Sequence, residues 1–274
     1  LKDLSVITGS TITLDNLWYV RDAIFIERLH HKKDNLINDT TYKRIDEIVD
    51  KMENYEDGLD LTPVDNINFT VEIAKVRGGG ALWAFMNHFE LKLFCNDPKN
   101  QDKPQCNWMK HMRYYAFSAH DNALSALMAT LGAKEKLVPY GYPEYSACLA
   151  LELWLTSKGP AIRMLYHANA STEFEDVTRK IAGCENLSSD KCDYNIVLKT
   201  AKIFYPGKDQ ENVLCQDTTS PNTDMWTYTK ASSASPASSA SSASPASSAS
   251  LASSAGSTFS VNASLLSGSF PILW

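Results

Sequence analysis

None of the six cysteines, Cys95, Cys106, Cys148, Cys184, Cys192 and Cys215, stands in a C-x-x-C pair. The ligand spacing of zinc ribbons and redox sites is therefore missing. Long apolar runs are missing too: none reaches the roughly 18 residues a bilayer-spanning helix requires, so no membrane span is read here. Positive charge is neither abundant nor clustered. The 26 Lys and Arg against 32 Asp and Glu leave a net charge of −6, which excludes the basic surface of a nucleic-acid binder. The chain opens on Leu1 with no charged-then-apolar leader, which reads as a processed or incomplete product.

What is present points to a folded, exported chain. A hydrophobic content of 44% with 10% aromatics is ample for a core. N-x-S/T sequons occur at Asn38, Asn68, Asn169, Asn186 and Asn262. Together with an even cysteine count and no metal spacing they favour the secretory pathway, where disulfides persist and sequons are glycosylated. Reduced thiols and accidental sequons are the competing reading. Nothing in the motifs calls for a cofactor.

Composition changes near Asp217. From Ala231 to Ser257 every residue is Ala, Ser, Pro, Leu or Gly, and SASPASSAS repeats in tandem. With so little to bury, residues 217–274 are expected to form a disordered tail, a plain extension or an O-glycosylated stalk. Residues 1–95 read as mainly helical. Leu17, Val20 and Ile24 follow Asp15 at helical spacing. Ile45, Ile48, Val49, Met52 and Tyr55 make a stripe over a charged face, and Leu82, Phe85, Met86, Phe89 and Leu93 make another. Before the last stripe stands Arg77-Gly78-Gly79-Gly80. It lacks the Gly-Lys-Ser/Thr ending of a nucleotide loop, so close helix packing is the favoured role. Residues 96–216 alternate: a strand over 114–118, a helix over 123–131 closed by Gly132, then alternation from Leu149 to Tyr166 across a Ser157-Lys158-Gly159-Pro160 turn. That is a hairpin, and the set implies an α/β fold with a mixed sheet flanked by helices.

The stretch YYAFSAHDNALSALMATLG, 114–132, runs a strand into a helix through His120 and Asp121. A helix N-terminus at the carboxyl edge of a sheet suits an anion. His120 can donate to phosphate oxygens, and Asp121 can carry a proton for a leaving group. Asp121 is equally a good N-cap, with His120 packing beside it, and the local sequence leaves both readings open. Other schemes fare worse. Ser118 lacks a G-x-S-x-G turn, His30-His31 lacks H-E-x-x-H spacing, His88 reads as a surface or core residue, and His111 as part of a basic strand entrance.

The same stretch resembles the histidine-aspartate motif of the histidine acid phosphatases, the family of prostatic and lysosomal acid phosphatases. The resemblance is closest to invertebrate members and continues through VRGGGALWAFMNHFELK, YPEYSACLALELW, PAIRMLYHANAS and GCENLSSDKC, covering roughly Ile7 to Cys215. It implies a phosphoglycerate-mutase-like core with a helical insert, incomplete at its N-terminus. It also implies a phosphomonoesterase of acid optimum, working through a phosphohistidine on small phosphomonoesters or phosphoproteins, in a secreted or lysosomal protein that can form a homodimer. Asp121 maps onto the proton donor and His120 onto a phosphate contact. The family's Arg-His-Gly-x-Arg-x-Pro nucleophile motif has no match; the nearest string, Arg28-Leu29-His30-His31, lacks the glycine and second arginine. The chain therefore looks like the C-terminal portion of such an enzyme, inactive alone and prone to aggregate through uncovered strand edges. A secreted, catalytically silent binding or surface protein is the alternative. Cys95 with Cys106, and Cys184 with Cys192, are near enough in sequence to pair. By the resemblance, Cys148 and Cys215 would pair outside this chain.

Overall fold

The computed structural model describes residues 1–32, 37–205, 207 and 269–273. Helices α1 (Lys2–Thr8), α2 (Leu17–Leu29) and α3 (Asp39–Glu56) share a small apolar cluster of Leu4, Leu17, Val20, Ile24, Ile37, Ile45 and Val49. The Asn38 side chain starts α3 by accepting the Thr41 N–H, satisfying one of the donors a helix start leaves unpaired. The α3 stripe departs from its expected course. Ile45 and Val49 are buried, but the next buried positions are Glu53, Asn54 and Asp57, while Tyr55 is exposed. The i, i+4 line that begins apolar ends in carboxylates.

Helix α4 (Phe69–Ala74) runs through a π-helical turn, Lys75–Gly79, into α5 (Gly80–Asn96). The glycine run thus lies inside a continuous helix rather than at its start. A Cβ on Gly78 would overlap Thr130 and Ala126, and one on Gly79 would overlap Phe204, whereas Gly80 faces open space. Two of the three glycines serve close helix contact, the packing role read from the sequence.

Helix α6 (Cys106–Met109) is tied to the end of α5 by the Cys95–Cys106 disulfide. Strand β1 (Tyr115–Ala116) leads into α7 (Asp121–Thr130), followed by the short α8 (Lys134–Leu137). Strands β2 (Cys148–Thr156) and β3 (Gly159–His167) form the expected hairpin, in register from Cys148↔His167 to Thr156↔Gly159. The pairs β4 (Glu175–Asp176) and β5 (Cys192–Asp193) add to β3, and α9 (Tyr194–Phe204) covers the sheet. Cys184 and Cys192 form a second disulfide. The main core joins Phe85, Met86 and Phe89 of α5, Leu127 and Met128 of α7, and Leu149, Leu151, Ile162 and Met164 of the hairpin.

A strand from the expected tail, β6 (Ser269–Leu273), lies between β1 and β2. It is parallel to β1, with Tyr115 opposite Ile272, and antiparallel to β2, with Leu151 opposite Ile272. The rest of 217–274, Asn262 included, lies outside the described residues, as does Cys215. The sheet is mixed and flanked by helices. Strand β1 is shorter than the expected 114–118, since only Tyr115 and Ala116 find partners on β6.

Candidate active site

Residues 117–120 carry the chain off the β1 edge to the start of α7. His120 occupies the N-cap position with extended backbone, φ −78 and ψ 162, and its ring makes no capping bond. Asp121 is the first helical residue, and among the described residues its Oδ1 accepts the neighbouring Asn122 N–H, at 2.8 Å. The capping reading of Asp121 therefore fails by one position. Both side chains are exposed, and they stand where the helix carries its partial positive charge.

Two cavities meet at this pair. One of about 280 Å³ is lined by Ala119, Leu124, Pro143 and Ala147 as well as His120 and Asp121. The other, of about 430 Å³, reaches toward the helices and is lined by Trp18, Arg21, Glu53, Tyr142 and Tyr145 beside the same two residues. His120, Asp121 and Tyr145 belong to both.

Behind the larger cavity, α3 meets α7 and α8 through polar groups. Arg21 donates to both Glu53 carboxylate oxygens, at 2.7 and 3.0 Å, and Glu53 also accepts the Tyr142 N–H at 3.1 Å. The Tyr142 hydroxyl donates to Glu56 at 2.6 Å, and Arg77 donates to the same oxygen at 3.2 Å. Buried Asp57 accepts a short bond from the Ser125 hydroxyl, and its other oxygen faces Arg77 Nε at 3.5 Å. Buried Lys134 donates to Asn54 at 3.2 Å and to the Val138 carbonyl at 2.6 Å.

Burial dominates the protonation of this seam, because a charged form loses its hydration there. It pushes the Glu53 carboxyl up despite Arg21, with Asp50 and Asp121 adding repulsion. It raises Asp57 against the opposing pull of Ser125 and Arg77. The Tyr142 phenol is raised by burial and by its bond to Glu56, while burial lowers the Lys134 ammonium.

The remaining histidines stand apart from this cleft. His88 is half-buried, 4.3 Å from the Tyr115 ring, with Nδ1 against the Ala84 carbonyl at 2.7 Å. His30, His31 and His111 are exposed and line neither cavity. Among the described residues, no three His, Cys, Asp or Glu side chains gather as a metal set. Of the sequons, Asn38, Asn68 and Asn186 are exposed, whereas the Asn169 amide nitrogen donates to Glu144 at 2.8 Å. Sequence reasoning missed Trp18, Arg21, Glu53 and Tyr142 as neighbours of the pair. Tyr142 and Tyr145 lay inside the YPEYSAC stretch, but nothing in its pattern assigned them a role.

Comparison with known families gives a consistent result. The sequence model described as "Histidine phosphatase superfamily (branch 2)" matches residues 2–167. "Putative acid phosphatase 5" of Caenorhabditis elegans is 24% identical over 69% of this chain and 38% of its own length. "Putative acid phosphatase 10" of the same organism is 22% identical over 73% of this chain and 49% of its own. The chain thus spans less than half the length of either relative.

Proposed function

Since the chain belongs to the histidine phosphatase superfamily (branch 2), we propose that its His120–Asp121 pair is the phosphate-contacting and proton-donating part of an acid phosphatase site. One observation carries the reading: both side chains project at the start of α7 into a cleft, and neither is consumed by a cap. In the proposed reaction His120 and the helix N-terminus hold the phosphoryl oxygens. As the ester P–O bond breaks, the Asp121 carboxyl gives its proton to the departing alcohol oxygen, and the phosphoryl group passes to a histidine nitrogen and then to water. The attacking histidine is assigned to no residue of this chain, because no Arg-His-Gly run occurs in it. The substrates are phosphomonoesters, small or protein-borne, and two disulfides with exposed sequons fit a secreted or lysosomal setting.

The alternative reading is a secreted, catalytically silent phosphatase-like binding or surface protein. Two measurements separate the readings. Inorganic phosphate is titrated calorimetrically into the chain and into His120→Ala, where at least a tenfold loss of affinity is expected. Turnover of an aryl phosphate near pH 5 is then compared with Asp121→Ala, since loss of a general acid costs about 10² to 10⁴ in rate. Phosphate binding without turnover supports the phosphate site and fits either a binding protein or an enzyme whose attacking histidine is not among these residues. Turnover abolished by the substitution supports the enzyme and places the attacking group within these residues. A chain that binds no phosphate sinks both.

A further inference from the structure

The larger cavity differs in chemistry from the smaller one. Three aromatic side chains, Trp18, Tyr142 and Tyr145, line it together with the acidic side chains of Asp22, Glu53 and Glu56, beside Asp121, the proton donor of the proposed reaction. Arg21 is the cation among its lining residues, and its guanidinium is already engaged by Glu53 at 2.7 Å, Asp50 at 3.4 Å and Asp22 at 3.4 Å. Arg77, behind the wall, is likewise engaged with Glu56 and Asp57. The cavity therefore keeps an excess of negative charge, which repels a second phosphate group. Its rings are not used up in packing: Trp18 is 41% exposed and Tyr145 54%. Trp18 stacks one face on Tyr19 at 3.8 Å, and Tyr145 meets Phe25 only at a tilted 5.7 Å. Aromatic faces beside carboxylates attract an ammonium group twice over, through the ring quadrupole and through charge.

We infer that this cavity is the leaving-group subsite and that it selects phosphomonoesters of positively charged alcohols, amino or quaternary-ammonium, over neutral or multiply phosphorylated ones. The inference rests on the reading of His120 and Asp121 as the phosphate site. With the phosphoryl group at His120, Asp121 lies on the border of both cavities, so the alcohol it protonates extends toward Trp18 and Tyr145. A zwitterionic ester then places its two charges at two complementary places about one molecule apart.

The test uses the full chain and three ligands in calorimetry, with tryptophan fluorescence as a second readout: inorganic phosphate, choline phosphate and neohexyl phosphate, the last being the isostere of the second with a neutral carbon in place of its ammonium nitrogen. Choline phosphate should bind about 10-fold more tightly than neohexyl phosphate, the size of a partly desolvated cation–π contact. The ratio should collapse toward one in Trp18→Ala. Asp22→Asn, a nearly isosteric change at a half-buried position, should lower it as well and guards against a misfolded tryptophan variant. If inorganic phosphate binds but the two esters bind equally, the subsite is wrong and the phosphate reading stands. If inorganic phosphate itself does not bind, the phosphate reading fails and takes the leaving-group assignment with it.

Discussion

Helix α7 meets its neighbours by opposite means on two sides. Toward the sheet, Leu127 and Met128 enter a dry core with Phe85 and Phe89. Toward α3, Ser125 bonds the buried carboxylate of Asp57, within a seam of Arg21, Glu53, Tyr142 and Lys134. The dry side fixes where the helix sits through burial, which is strong and tolerant of angle. The polar side fixes its register against α3, because hydrogen bonds are short and directional. His120 and Asp121 sit at the end of α7, where both constraints act, so the site is held by packing behind and by hydrogen bonds at its flank.

Phe85→Ala, in the dry core, should cost about 3–5 kcal/mol in a denaturant titration. A cost below about 2 kcal/mol would mean that the seam carries more of the fold than its burial suggests. Arg21→Ala should cost less, about 2–3 kcal/mol, because it strands the Glu53 carboxylate without its guanidinium. Arg21→Met combined with Glu53→Gln should recover part of that loss, since no unpaired charge remains. If the double change costs as much as Arg21→Ala, packing and not charge is what Arg21 supplies.

The smallest effect is the dependence on pH. Glu53, Asp50 and Asp57 are all raised, by burial first, so each holds its proton more tightly folded than unfolded. Their contribution is fully present below the ordinary carboxylate range and is lost as pH rises through their folded values. The melting temperature should therefore rise as pH falls from neutral toward the ordinary carboxylate range. Asp176 acts in the other direction: burial pushes it up, but bonds from Arg163 and Thr178 outweigh that and hold it below its ordinary value. Its contribution disappears below about pH 4 and turns the curve downward. Asp57→Asn, which keeps an acceptor for Ser125, should flatten that rise. An unchanged slope would remove Asp57 from the seam's titration.

What the sequence made legible followed from local period. The Leu149–Tyr166 hairpin and the α5 stripe rest on spacing between near neighbours, and the packing role of the glycine run on its lacking a nucleotide-loop ending; each is found in the fold. The seam was illegible because its partners lie far apart in the chain. Ser125 and Asp57 are 68 residues apart, and Tyr142 and Glu53 are 89 apart. Before folding, Glu53 and Asp57 are indistinguishable from the solvated charges of an amphipathic helix. At the site, the His-Asp pair was visible, but the local sequence left Asp121 open between cap and proton donor, because the side chains that favour a cap do not fix the residue at which the backbone turns helical. The β6 strand gave no warning, since a five-residue segment beyond a low-complexity stretch carries too little pattern to announce a partner.

That strand also sets an order of events during synthesis. Residues 115–116 and 148–156 leave the ribosome well before 269–273, and a chain grows at only about 5–20 residues per second. The α5–α7 packing and the β2–β3 hairpin are complete by residue 204 and can form at once, whereas the gap between β1 and β2 stays open until β6 emerges. For those seconds the nascent sheet presents two unpaired edges facing each other, the surface that a strand-binding chaperone or a neighbouring nascent chain would reach first.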